Sequence, residues 1–478
     1  MTINFNRYLS ILMITCGSFF VEASNEQAEK FIEELKTHYQ QSPSLEVFSL
    51  NYHYLGRSPF YAWDYQAPER YLAIRRVEID LIKKQFVEND VHHFSGGRTF
   101  NRVQFQDDKR SLFYDKNGLA LGKRIIKQSM DTYYELEGHI FINIDFMAVK
   151  SLLETPNLSK VIRFHQDKQT GHKSLIHTTA DNNIIEYTFR NNPIQLASIN
   201  NKSQQKKYVY DDYQTSNGIT FARSIHKYFG NVTKPSFVHR IDSLNIIEEI
   251  ESSKFKVPED FGPIIPKHDK SLIAKEIAAN LFLITDLSAS RNILFKVNND
   301  EIMVFGAPVS QEFTEKTIET IEAKFPNKTI SSVYVTHPHG DHIAGLLAYA
   351  KRGVTILADA YTVSAIKAYP YFSEDMAKFK FKTISHEETV KGADFYVLEN
   401  SHSKRQSFVH FPKSGIIYQA DFLEVAFDNT IPKVIPSYTK TFIDFVRSKQ
   451  LIINRIVGHH RNNNISVSVM NKTYNAIL

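Results

Sequence analysis

His337-Pro338-His339-Gly340-Asp341-His342 places three imidazoles and a carboxylate within six residues. The apolar Val333-Tyr334-Val335 before it alternates like a buried strand. After it, Gly345-Leu346-Leu347-Ala348-Tyr349-Ala350 reads as a helix closed by Gly353 at the C′ position. The stretch is therefore expected on a strand-to-helix loop, where such folds carry chemistry. Imidazole nitrogens and carboxylate oxygens are the usual ligands of Zn²⁺ and similar borderline ions. His337 and His339 are candidates for one ion, Asp341 and His342 for a second. A polar surface loop would account for one such histidine. It accounts poorly for three with an aspartate at a strand end.

Further strand ends follow in order. Asp394-Phe395-Tyr396-Val397-Leu398 reads as a strand running into Glu399-Asn400-Ser401-His402-Ser403. Phe408-Val409-His410-Phe411 turns at Pro412-Lys413-Ser414-Gly415 into Ile416-Ile417-Tyr418-Gln419-Ala420, which ends at Asp421. A last strand, Ile452 to Val457, ends in Gly458-His459. This series resembles the metallo-β-lactamase superfamily, of an exported bacterial type with an additional N-terminal domain. The resemblance covers residues 268–478 and is silent on those before. It implies an αββα sandwich of two mixed sheets inside outer helices, with metals at one edge.

Carried over by that resemblance, His337, His339 and His402 hold one metal, Asp341, His342 and His459 the other, and Asp421 bridges them. His460 directly follows and stays open as the alternative last ligand. Several β-lactamase subclasses have cysteine or serine at the bridging position, so Asp421 points to the broader hydrolases. One departure stands out: after Glu301-Ile302-Met303-Val304-Phe305 comes Gly306-Ala307-Pro308, and the family usually has an aspartate in place of Gly306. That aspartate is not a ligand, so its loss bears on loop support. Two Zn²⁺ ions are the implied cofactors, and iron or manganese accept the same ligands.

Such a centre supplies a bridging hydroxide near neutral pH and holds a developing oxyanion. Asp341 is the implied catalytic residue, orienting the hydroxide and taking its proton. The expected activity is metal-dependent hydrolysis of an ester, lactone, amide or phosphoester in a small, anionic substrate. Three branches of the family fit poorly. Flavodiiron proteins carry glutamate where this chain has His339. Asp421 and His459 are only 38 positions apart, too few for the insertion of the nucleic-acid-processing branch. Glyoxalase-type thioesterases continue into a helical domain after the last ligand. Two alternatives stay open: a β-lactamase-type hydrolase, and a non-catalytic envelope binding protein with a structural metal site.

Other side chains carry less. His410 inside a strand reads as packed, and His386 beside Glu387 and Glu388 as solvated. Tyr361, Tyr418 and Tyr438 are possible oxyanion donors, but packing is the better reading for each.

With 478 residues the chain has room for two or three domains, and its net charge of +5 is modest. Lys202-Ser203-Gln204-Gln205-Lys206-Lys207 reads as a solvated loop, and no nucleic-acid partner is expected. Residues 1–23 read as a signal peptide, with the apolar run Tyr8 to Phe20 too short to span a membrane and Val21-Glu22-Ala23 suiting a peptidase. No transmembrane segment is expected in the mature chain. The expected location is periplasmic or secreted, with lipid anchoring through Cys16, the single cysteine, as the alternative.

Residues 24–256 read as a mostly antiparallel, β-rich α+β domain. Phe31, Ile32, Leu35 and Tyr39 mark one face of an opening helix, and Ile144 to Leu153 reads as another. Short β-prone runs alternate with turn clusters such as Ser216-Asn217-Gly218, and Tyr208–Tyr210 and Ile219–Ala222 should form one hairpin. The pattern loosely resembles lipoprotein-carrier envelope domains. Trp63 reads as a core or edge aromatic, and His92-His93 as an exposed pair. Residues 257–267, with three prolines, read as a linker.

Overall fold

Alternation decides the N-terminal half. In Val47–Arg57 every second residue is buried, so Phe48, Leu50, Tyr52 and Tyr54 face one side. The computed structural model describes residues 25–119, 121–158, 162–266, 272–286, 291–307 and 309–477. The stretch read as a signal peptide, with Cys16, lies outside them.

The strand Val47–Arg57 pairs antiparallel with Arg70–Asp80 on one side and with Phe237–Ile246 on the other. From this centre a fourteen-stranded sheet extends both ways, down to Ile162–Gln166 at one edge. At the other edge Ile264–Pro266, inside the stretch read as a linker, pairs parallel with Ile125–Gln128. The remaining pairings are antiparallel. The expected hairpin forms between Lys206–Ser216 and Ile219–Phe229. Asn217 and Gly218 both take positive φ, 52° and 78°, as a tight two-residue turn requires.

Helices Asn25–Gln40, Thr132–Asn143 and Asp145–Leu153 share one apolar cluster with the sheet. Phe31 meets Phe164 and Phe189 edge-on at 5.6 and 5.5 Å. The histidine pair departs from expectation. Strand alternation turns His92 inward to Tyr54 Oη (3.1 Å) and Asp90 Oδ1 (2.8 Å), and only His93 is exposed.

The C-terminal half holds two sheets. The first has seven strands, Leu272–Ala278 through Lys380–Thr383, antiparallel over its first three pairings and parallel over its last three. The second has five, Glu388–Val390 through Arg455–Gly458, with only the last pairing parallel. Phe305, Tyr334 and Leu294 of the first meet Phe395, Val409 and Tyr418 of the second in one core. The outer face of the first sheet buries residues of Gln311–Lys324 and Leu346–Lys351, and that of the second buries Ser437–Ser448. Parallel strands align their C-terminal ends, so Thr329–Tyr334, Ile416–Gln419 and Arg455–Gly458 deliver their following loops to one edge. No helix among the described residues is long and apolar enough to cross a membrane.

The N-terminal sheet docks on that edge through loops. Trp63 Nε1 donates to Asn400 O (2.8 Å), and Asp64 accepts from Lys404 Nζ (2.8 Å) and Tyr361 Oη (2.9 Å). Gly96 lies so close that an added Cβ would stand 2.7 Å from the Ser401 carbonyl oxygen, whereas one on Gly97 would meet nothing within 4 Å. Both glycines have positive φ, so alanine at either costs about 1–2 kcal/mol in backbone strain. Gly96→Ala adds the clash with the loop carrying His402. Thermal unfolding and zinc affinity should therefore suffer more in Gly96→Ala than in Gly97→Ala. Equal losses would show that this contact is unimportant.

Candidate metal centre

Each candidate ligand is fixed by its local chain. His337 follows the buried strand Thr329–Tyr334 and is itself fully buried, its Nδ1 3.1 Å from Thr336 Oγ1. His339 is the N-cap of the short helix Gly340–Ile343 but makes no side-chain cap bond. Its Nε2 donates instead to the Ala62 carbonyl of the N-terminal half (3.2 Å), which leaves Nδ1 as its lone-pair nitrogen. His402 sits in a loop held by Asn400, whose Oδ1 accepts from His402 N (2.7 Å) and Ser403 N (3.3 Å). Asn400 Nδ2 also donates to Gln406 Oε1 (2.9 Å), and Gln406 Nε2 donates to Ala420 O, tying this loop to that of Asp421. Asp421 adopts φ 61°, a left-handed turn clamped by Gln419 Oε1, which accepts from Phe422 N (2.9 Å) and Leu423 N (3.2 Å).

Asp421 stands at the middle. Its Oδ2 lies 3.2 Å from His402 Nε2, 3.5 Å from His337 Nε2 and 3.2 Å from His342 Nε2. Two groups of ligand atoms, each within 4.8 Å, emerge: His337, His339, His402 and Asp421, and His342, His459 and His460. Asp341 Oδ2 borders the second at 3.7 Å from His342 Nε2 and 3.5 Å from His460 Nε2. All seven residues expected from the sequence are thus brought together, with His460 beside them.

The two adjacent histidines differ in their hydrogen bonds. Tyr418 Oη donates towards Asn292 O (3.4 Å) and lies 2.7 Å from His459 Nδ1, which then carries the proton. His459 Nε2 is buried with no hydrogen-bond partner among the described residues. Arg291 Nη1 meets His460 Nδ1, so that nitrogen accepts and Nε2 carries the proton, 2.9 Å from Asp421 Oδ1. Tyr418 also accounts for Gly306. At φ 106°, an added Cβ there would stand 2.4 Å from Tyr418 Oη and 3.0 Å from His459 Nδ1. The tyrosine fills the space beside that glycine and supports the histidine from the neighbouring strand of its own sheet.

Burial, reinforced by neighbouring imidazoles, lowers His337 and His339 to about 3 and His402 to about 4. Burial, with Arg291 adding to it, brings His460 to about 3. Burial opposes ionisation of Asp341 and Asp421, but the imidazoles of His342 and His460 outweigh it and hold both carboxyls below their usual range. Imidazoles facing one another at 3.0 Å (His342 and His460) and 3.3 Å (His337 and His402), around ionised carboxylates, form a donor set suited to divalent cations. The orphaned His459 Nε2 completes that fit.

A cavity of ≈ 240 Å³ opens onto His339, Asp341, His402 and His460. Tyr61, Phe94, Arg98, Phe100 and Arg102 of the N-terminal half line it together with Arg291 and Arg461. These arginines have no mutual sequence spacing that could have announced them. The weaker candidates fall where packing put them. Tyr361 binds Asp64, Tyr438 is fully buried with its ring 4.9 Å from that of His402, His410 Nε2 donates to Ile452 O (3.0 Å), and His386 is exposed.

No family model matches the chain. It is similar to the metallo-beta-lactamase type 2 of Bacillus sp. (strain 170), with 22% identity over 234 residues, 47% of this chain and 86% of that protein. Solved structures similar to it include the metallo-beta-lactamase FIM-1 from Pseudomonas aeruginosa in its mono-zinc form, at 15% identity and TM-score 0.34, covering 43% of this chain and 94% of that one. Another is a metallo-beta-lactamase from Hirschia baltica, at 12% identity and TM-score 0.35, covering 43% of this chain and 98% of that one. The sequence similarity, together with the two ligand groups, points to the metallo-β-lactamase superfamily fold for the C-terminal half.

Proposed function

We propose that this chain is an exported, dinuclear metal-dependent hydrolase, with residues 1–23 a signal peptide, 24–256 a β-rich domain, 257–267 a linker and 268–478 an αββα catalytic domain. The observation that carries it is the place of Asp421, whose carboxylate touches both ligand groups at once. His337, His339 and His402 would hold one ion and Asp341, His342 and His459 the other, with Asp421 between. The orphaned Nε2 of His459 supports it over His460 as last ligand. Two zinc ions there supply Lewis acidity and an activated water for cleaving an ester, lactone, amide or phosphoester.

The chain's own groups do the rest. Asp341, 3.3 Å from Arg291 Nη2 and held in its ionised form, orients the attacking water better than it could store its proton. His460 Nε2 stands 2.9 Å from Asp421 Oδ1 and 3.0 Å from His342 Nε2, flanking the carboxylate between the two ligand groups. The cavity over His339, Asp341 and His402 leaves the ligands open on one side, which a purely structural zinc would not need. β-Lactam hydrolysis is the second reading, favoured by the similarity to the Bacillus metallo-beta-lactamase type 2.

Metal analysis should find two zinc ions per chain, and Asp421→Ala should bind fewer and lose turnover roughly 100-fold or more across chromogenic esters, lactones, phosphodiesters and β-lactams. Full activity in that variant would refute the bridging role.

Tyr418→Phe removes one hydroxyl beneath His459. Zinc affinity, read by chelator competition, should drop about 10- to 100-fold. An unchanged affinity would mean that Tyr418 merely fills space.

The buried histidines titrate near 6.5 when unfolded and near 3 to 4 when folded, so the unfolded chain takes up protons first. Stability of the metal-free protein should fall as pH drops from about 6.5 towards about 3. A flat melting temperature across that window would contradict the burial of neutral imidazoles.

A further inference from the structure

Three guanidinium groups converge on one ring. Arg102 Cζ stands 4.1 Å, Arg98 4.9 Å and Arg461 5.9 Å from the centre of Phe100. Arg98 and Arg461 share one carboxylate, Glu424, at 2.9 and 2.7 Å. Arg291, which also lines the cavity, pairs with Asp341 at 3.3 Å. The guanidinium of Arg102 makes neither a hydrogen bond nor an ion pair among the described residues, and its contact is the face of Phe100. Asp90, a nearby carboxylate, is already engaged by Arg75 Nε (3.2 Å) and His92 Nε2 (2.8 Å). Asp115 accepts from the backbone amides of Asn101 (3.3 Å) and Asn117 (3.1 Å).

Asp90 and Asp115 face Arg102 from the two flanking strands, but its guanidinium bonds to neither and keeps its donors for an anion in the cavity. Its planar fork suits a carboxylate or phosphate oxygen pair. Arg98 also stands 3.9 Å from Asp421 Oδ2, so of these arginines Arg102 alone lacks a carboxylate in direct contact among the described residues. At ≈ 240 Å³ the cavity admits a small organic acid or phosphate ester and little more.

We propose that Arg102, carried by the N-terminal sheet strand Thr99–Gln106, is the substrate-selecting residue of this cavity and grips an oxyanion group of the substrate while its scissile bond lies over the histidine cluster. The N-terminal sheet is then half of the binding site. The position of the scissile bond rests on the hydrolytic reading above, and the oxyanion grip does not.

The zinc-loaded protein tests this with two matched esters, mono-p-nitrophenyl glutarate, which carries a free carboxylate, and neutral p-nitrophenyl butyrate. The ratio of their kcat/KM values should fall roughly 10- to 100-fold in Arg102→Ala, through KM of the glutarate ester, and recover in part in Arg102→Lys. Arg102→Gln serves where the alanine variant fails to fold. Calorimetric titration with inorganic phosphate should show Kd rising by about tenfold or more in the same variants, but not in Arg163→Ala, an exposed arginine outside the cavity. An unchanged ester ratio, an unchanged phosphate Kd, or no phosphate binding by the parent protein would overturn the proposal. Should the parent cleave neither ester yet lose phosphate binding with Arg102, the anion site stands and the hydrolytic reading falls.

Discussion

A single carboxylate, that of Asp421, lies among imidazoles contributed by both C-terminal sheets, and the rest of the molecule is arranged around keeping it there. His337 and His342 arrive from the end of a strand in the first sheet. Asp421 and His459 arrive from neighbouring parallel strands in the second. Their meeting requires the two sheets to face each other with those ends aligned, which the shared core of Phe305, Tyr334, Phe395 and Tyr418 enforces. The left-handed turn at Asp421 is a local strain that Gln419 and Gln406 hold in place with hydrogen bonds from opposite sides.

Buried imidazoles kept neutral beside ionised carboxylates make a donor set suited to a cation. Burial drives the protons off His337 and His402, Asp421 stays ionised, and the facing nitrogens meet around its carboxylate. The arginines of the cavity rim extend the same logic outward. Arg98, Arg291 and Arg461 are each held by a carboxylate at the site, and Arg102 alone has none in direct contact.

What the sequence disclosed follows from which interactions are local. The ligand-bearing loop, the helix ended by Gly353 and the Asn217-Gly218 hairpin are written in a few consecutive residues, and their geometry agrees with that reading. His402 was legible because it sits at a strand end in the right order. Arg98, Arg102, Arg291 and Arg461 were not, since the docking of one sheet on two others brings them together and no spacing encodes it. Tyr418 was visible as a tyrosine, but its work under His459 depends on the empty space at Gly306, more than a hundred residues earlier. His92 was misjudged because an adjacent pair on a strand points to opposite faces, and only one of the two can be exposed. The final strand begins at Arg455, three residues later than its apolar run suggests, because Ile452 itself is exposed.

The bond from His339 to the carbonyl of Ala62 has a quiet implication for how this centre could be altered. Because the acceptor belongs to the main chain, no replacement of the Ala62 side chain removes it, and a survey of single side-chain truncations would pass over it. The path of the loop around Ala62 is set by its neighbours, Trp63 bonded to Asn400 and Asp64 bonded to Lys404 and Tyr361. Substitutions there, remote from any ligand, would act by rotating an imidazole. The protonation pattern of the centre is thus partly written in a peptide bond of the other half of the chain, and grafting the C-terminal half alone onto a new partner would lose it.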